Sequence, residues 1–391
     1  MTGRQSLNWP TILFIAGTSL AALAWPVYAF FFGTSAGELA LAVAYFVATG
    51  LGITVGYHRL ITHRSFRCRP WVEAVFLVVG AAAWQGSALD WATDHARHHA
   101  HTDTDLDPYD IRQGFWHAHM GWLLTYDSEG TDVPAFLSQD RLVMWQHRYY
   151  LPVAITISFI VPLLVCGIGG LLLAGAVRLV ALHHSTWFIN SWAHLGGHRP
   201  YDPATSANDN WVVAFFTFGE GFHNYHHSFP TDYRNGISPF AFDPSKWLIA
   251  ALSFLRVAWG LERVGAVSRW RLRVRNVTAW VGDELERAEA LRALRLALER
   301  QRLRTGAKLA RKARKLTKIG LPPHATRAQL MVWLSENAAE CKVELTARYR
   351  RRFHRLSELA GNMRVYDRLL DKVGQYEERL ALGTAWAPTG A

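Results

Sequence analysis

Nine histidines fall into four short boxes: His58 and His63 in HRLITH, His95, His98 and His99 in HARHH, His194 in NSWAH, and His223, His226 and His227 in HNYHH. Of the chain's 18 histidines, 16 lie between His58 and His227, so the chemistry is concentrated in that stretch. A neutral imidazole is a good ligand for a redox-active metal such as iron. Nine nitrogens are too many for one zinc, which takes four ligands. Two octahedral or near-octahedral irons would use them and leave room for oxygen; two zincs are the alternative on ligand count. In HxxHH the imidazoles stand at i, i+3 and i+4 and share one helical face. His58 and His63 are five apart, about 140° around an α-helix. They point different ways unless the helix ends between them or each reaches a different metal. His194 follows Asn190 by one turn, so both can face the site, with Asn190 holding a coordinated water.

These boxes need elements that bring them together. Half of the 391 residues are hydrophobic, 19% are charged, and 17 are tryptophan. The apolar residues gather into runs long enough to cross a bilayer. The expected spans are 11–32, 37–56, 151–169 and 170–190. No small-residue cleavage site follows the first run, so it is expected to stay as an anchor. The segment 71–89 is equally apolar, yet a crossing there would strand the second box on the far side from the first. It is therefore expected to be interfacial or buried in protein, which Glu73 and Gln85 also suit. All boxes then meet on one membrane face. Arg59, Arg64, Arg67 and Arg69 crowd the exit of the second span and mark that face, with both termini, as cytoplasmic. Segments 92–150 and 195–250 form a helical cap over the spans. Cys68, Cys166 and Cys341 include no CxxC, which excludes a zinc ribbon and gives no disulfide framework.

The four boxes, as HRLITH, DHARHH, NSWAH and GEGFHNYHHSFP, resemble those of the membrane fatty acyl desaturases, specifically the Δ9 stearoyl-CoA desaturase-like branch. The resemblance covers about residues 40–247, including DPYDIRQGFWHAHMGWLL at 107–124. It implies an all-α integral membrane fold, with four transmembrane helices and a cytoplasmic cap holding a histidine-ligated di-iron site. By position, His58, His63, His95, His98, His99, His194, His223, His226 and His227 would be ligands, with Asn190 acting through water. Gln85, Trp91, Thr186 and Trp187 match positions lining the kink of a narrow acyl tunnel. The implied reaction uses two iron ions, O2 and two electrons to insert a cis double bond, at Δ9, into a saturated fatty acyl chain. A hydroxylase on the same scaffold is the alternative. Candidates for orienting the imidazoles from behind are Asp90, Asp94, Asp103, Asp105, Asp107 and Glu220. His183, His184 and His198 are expected to be structural or to support the ligands. Where animal relatives carry a basic stretch that helps hold coenzyme A, this chain reads TYDSEG at 125–130. The carrier is therefore open between CoA, an acyl carrier protein and an intact lipid.

Charge divides the chain. Residues 1–250 hold 13 Lys and Arg against 17 Asp and Glu, whereas residues 251–391 hold 29 against 14. The division is expected at 1–255, a membrane desaturase domain, and 256–391, a basic helical extension of unknown role. Within the extension 283–304 reads as an amphipathic helix, and Gly320-Leu321-Pro322-Pro323 punctuates the tail beyond it. The basic surface suits anionic membrane lipid or an acidic partner. No haem-binding donor domain is visible, so a separate electron carrier, ferredoxin-, rubredoxin- or cytochrome b5-like, is expected. No nucleic-acid module is recognisable, and none is expected as a partner.

Overall fold

In the computed structural model the described residues are 7–125, 133–280, 284–314 and 347–381. The TYDSEG stretch beyond Thr125, the Gly320–Pro323 punctuation and Cys341 lie outside them. The described residues are helical apart from a two-residue pairing of Arg67 and Cys68 with Trp259 and Ala258, isolated bridges and connecting turns. They form two compact units, one of residues 1–200 with 205–264 and one of 201–204 with 265–391.

Three helical runs in the first unit are long and apolar enough to cross a membrane: Trp9–Phe32, Ala36–Thr62 and Tyr150–Leu195. The first, α1, starts on an Asn8 cap and a proline at its first turn. Its leucines and phenylalanines lie open along its length, with Leu20 68% and Phe30 83% exposed, and Thr18 is its one buried residue. Such a surface suits hydrocarbon, not water. The second run begins with a Ser35–Glu38 capping box and the α-helix α2, Ala36–Leu51. It then widens into a π-helix over Gly52–Thr62, the stretch that carries the first histidine box. The third run breaks at Cys166–Gly167, where Gly167 takes φ +61°. The two halves fold back on each other there. Gly175 lies against Ser158 and Phe159, close enough that a Cβ would stand 3.2 Å from the Ser158 carbonyl.

The apolar segment expected not to cross is the 12-residue helix α3, Pro70–Ala81. At 1.5 Å per residue it covers about 18 Å, too short for a hydrocarbon core of about 30 Å. It buries Val72, Phe76, Leu77 and Ala81, the first three in the main core with Ile53, Tyr57, Leu60 and Ile249. Burial beside Asp140 pushes the Glu73 carboxyl up to about 7. A turn at 82–87 leads into α4, Ala88–His101, which carries the second box behind a Ser87 cap. The second unit packs Ala266–Ala279, Glu284–Arg314 and Ala347–Ala381 around Val274, Leu291, Leu294, Leu298, Tyr366 and Val373.

Candidate metal centre and cavity

The structure gathers all nine box histidines into two groups. One holds His58, His63, His95, His99 and His226; the other holds His98, His194, His223 and His227. The rings meet through their Nε2 atoms. Within the five-membered group His58 and His226 are 3.0 Å apart, His63 and His95 3.0 Å, and His99 lies 3.1 Å from His95 and 2.9 Å from His226. Within the other group, His98 to His227 is 3.2 Å, His227 to His223 3.1 Å and His223 to His194 3.0 Å.

The local backbone explains how these rings meet. In α4, His95, His98 and His99 project from one face as the HxxHH spacing requires, although His98 turns to the second group. The α-helical geometry expected for HRLITH does not apply. His63 N donates to His58 O, an i→i+5 bond at 3.0 Å, so five residues make little more than one π-turn. His58 and His63 thus enter the same group. His194 sits on a one-turn helix, Trp192–Leu195, just past the break at Ser191. The fourth box occupies the six-residue helix His223–Ser228. It follows Phe218 and Gly219, at φ +55° and +101°. A Cβ at Gly219 would stand 2.6 Å from the Asp243 carboxyl, so both its space and its conformation favour glycine.

Several of the opposite ring nitrogens have outward partners. His98 Nδ1 donates to Asp107 Oδ1 at 2.9 Å, and His194 Nδ1 donates to Ser206 Oγ at 2.6 Å. Ser206 in turn donates to Asp103. His58 Nδ1 lies 3.0 Å from Glu220 Oε2. A proton held at Nδ1 leaves an Nε2 lone pair pointing inward. Burial, then the neighbouring rings, depresses the pKa of His63, His95, His99, His226 and His227 well below the ordinary value, which keeps them neutral. Converging lone pairs about 3 Å apart repel unless a cation lies between them. With metal–nitrogen bonds of about 2.1 Å, adjacent ligands stand about 3.0 Å apart in an octahedron and about 3.4 Å in a tetrahedron. The observed separations fit the first. The donor set therefore suits two metal ions of high coordination number.

Glu220 is set by a buried ionic cluster. Arg59 donates to Glu220 Oε1 from Nε and NH2, at 3.2 and 2.9 Å, and contacts Asp243 Oδ1 at 3.0 Å. Asn235 Nδ2 donates to Glu220 Oε2 at 2.6 Å. Arg59 is 1% exposed and is a core residue, whereas Arg64, Arg67 and Arg69 lie at the surface. Arg59, Ser206, Asn235 and Asp243 are not legible from motif spacing; adjacency to His58 is the one signal that points at Arg59. Of the six acidic candidates, Asp107, Glu220 and, through Ser206, Asp103 stand behind imidazoles. Asp90 caps α4 through Ser87, and Asp105 pairs with Arg112 at the surface. Asp94 faces the cavity beside the histidines. His183 bonds the Ala83 carbonyl, His184 bonds His119, and His198 pairs with the Asp209 backbone.

That cavity, of about 510 Å³, has His58, His95, His98 and His223 in its wall. Phe14, Ile15, Ile53, Trp84, Leu182 and Phe218 make much of the rest. Gln85, Trp91, Thr186, Trp187 and Asn190 all line it. Trp91 Nε1 donates to Gln85 Oε1 at 3.3 Å, and Gln85 Nε2 donates to Thr186 Oγ1 at 2.8 Å. Trp91 also stacks on His95, with ring centres 4.8 Å apart.

The family described as Fatty acid desaturase matches residues 34–242. A probable acyl-CoA desaturase of Schizosaccharomyces pombe is 41% identical over 66% of this chain and 55% of its own length. Acyl-CoA desaturase 1 of Saccharomyces cerevisiae is 37% identical over 66% of this chain and 52% of its own. The chain thus spans about half the length of these two relatives. An sn-1 stearoyl-lipid 9-desaturase of Anabaena variabilis is 36% identical over 66% of this chain and 95% of its own length.

Proposed function

The chain belongs to the fatty acid desaturase family, and from that membership we propose that it inserts a cis double bond at Δ9 into a saturated acyl chain. The observation that carries this reading is the pairing of nine inward Nε2 atoms with an apolar cavity that shares four of their rings. We assign two irons to the two groups. His58, His63, His95, His99 and His226 hold one, and His98, His194, His223 and His227 hold the other, with Asn190 completing it through water. When bound, the iron pair supplies the oxidising power by which O2 and two electrons remove two hydrogens from adjacent carbons.

The protein's own part is position and dryness. The C–H bonds in the middle of a fatty tail carry no functional group, so the wall of the cavity must decide which carbons stand beside the histidines. The hydrogen-bonded bridge from Trp91 through Gln85 to Thr186 crosses from α4 to the helix Arg178–Asn190. An extended substrate must bend around it, which favours a cis product. Phe14, Phe218 and Trp84 exclude water from the reacting carbons. Asp107, Ser206 and Glu220 hold the Nδ1 protons and keep the rings turned inward.

Four crossings, at Trp9–Phe32, Ala36–Thr62 and the two arms of Tyr150–Leu195, would bring the cap and both termini to the cytoplasmic face. The first two relatives are named for acyl-CoA and the third for a lipid, so an acyl thioester or a lipid is the substrate class. A separate electron carrier completes the system. Expression in a host lacking desaturation, followed by mapping of double bonds in its lipids, tests the proposal. Cis Δ9 alkenes are expected; alcohols instead of alkenes would favour a hydroxylase.

A further inference from the structure

Resting on that reading, we propose that Arg178 is a positioning residue that fixes where along the acyl tail the reaction falls. It lies in the second arm of the third apolar run and is 3% exposed. A buried guanidinium at that depth is costly to hold, so what it touches indicates what it does. Its Nε donates to Ala174 O at 2.8 Å, one turn back on its own helix. Its NH1 donates to Ala82 O at 2.8 Å, and its plane lies over the Tyr45 ring at 5.6 Å. The remaining NH2 is buried without a hydrogen-bond partner among the described residues. The charge is thus directed at a carbonyl at the end of α3.

That carbonyl begins the turn between α3 and α4, and the same turn is clamped from several directions. Ser158 Oγ donates to the same Ala82 oxygen at 2.9 Å. His183 Nε2 bonds Ala83 O at 2.9 Å, and Gly86 N donates to the Tyr150 hydroxyl at 3.2 Å. Between these ties Trp84 is held at φ +55°, a conformation that bulky residues rarely adopt without external support. Its ring is stacked on Phe14, with centres 4.5 Å apart, and forms cavity wall. The next residue is Gln85, the middle of the bridge from Trp91 to Thr186. One strained turn therefore carries both a wall and the bend of the cavity. Arg178 and Ser158 decide where that turn sits relative to the histidines.

The consequence is specific to position. Neighbouring methylenes differ by little more than an ångström along the tail, and displacements of that size change reaction rates on the order of a hundredfold. Loosening the turn should let adjacent carbons compete. A guanidinium holds two carbonyls in one plane, whereas the point charge of lysine satisfies them less well. The ranking of Arg178→Lys below Arg178→Met in effect follows.

The test compares full-length wild type, Arg178→Lys, Arg178→Met and Ser158→Ala in a host lacking desaturation, reading the ratio of positional isomers within the unsaturated product. That ratio does not depend on how much protein folds, so a purely structural role would leave it unmoved. We expect the minor isomer to rise on the order of tenfold in Arg178→Met, with smaller rises in Arg178→Lys and Ser158→Ala. Ser158→Ala removes one bond to the turn and decides the matter where Arg178→Met yields no protein. An unchanged isomer ratio in both Arg178→Lys and Ser158→Ala, with only total product reduced, would overturn the proposal. A wild type that forms no alkene would instead refute the desaturase reading; if it forms alcohols, the same ratio is read on the hydroxyl position.

Discussion

At the scale of single residues, the centre depends on what stands behind each imidazole. Asp107 accepts from His98 Nδ1 and also from the backbone N–H of Tyr109 and Asp103. Asp107→Asn keeps an acceptor there but removes the charge that favours the ring's inward lone pair. Outer partners of this kind are worth about 10–100-fold in metal affinity or activity, so metal retention against a chelator should fall by that factor. Arg59→Met would leave Glu220 and Asp243 buried without their cation. Breaking a buried ion pair costs about 3–5 kcal/mol, and a large drop in the thermal unfolding temperature in detergent is expected. The histidine set is legible from spacing because HxxHH puts its rings on one face whatever surrounds it. The supporting residues are not. Glu220 stands 162 positions from His58, and only the folded structure selects it from six acidic candidates while passing over the exposed Asp105.

At the scale of elements, the second apolar run shows where periodicity misleads. Counting α-turns separates His58 from His63, yet the π-helix returns them to one side. Nothing in HRLITH alone signals that change of pitch. The glycines along this run let α3 approach closely. A Cβ at Gly52 would stand 2.8 Å from the backbone nitrogen of Gly80, and one at Gly80 would stand 2.4 Å from the Tyr57 ring. Backbone cannot yield as a side chain can, so Gly52→Ala should destabilise the protein by about 1–3 kcal/mol. Thermal unfolding with parallel activity assay checks this; a variant with unchanged melting and turnover would show that the close approach is dispensable. The expectation that α3 does not cross rests on topology, since a crossing there would separate two boxes that the structure brings together. Its twelve residues are also fewer than a bilayer core requires.

At the scale of the whole molecule, chemistry and charge are segregated. Every box histidine and every cavity-lining residue lies before residue 265, in the first compact unit. The second unit has its own core of Leu291, Leu294, Leu298, Tyr366 and Val373. Protein ending at Val264 is therefore expected to keep the full metal content of the 391-residue protein, measured on purified samples; loss of metal would show that the basic unit is needed to build the centre. The composition changes near residue 256, and the contacts among the described residues divide the chain after Val264. What ties these scales together is the claim that two groups of imidazoles each hold one iron. Elemental analysis of the purified protein tests it most directly. Two irons per chain are expected, falling to one or fewer in both His194→Ala and His226→Ala. Stoichiometric zinc, or a single metal per chain unaffected by one of these substitutions, would contradict it.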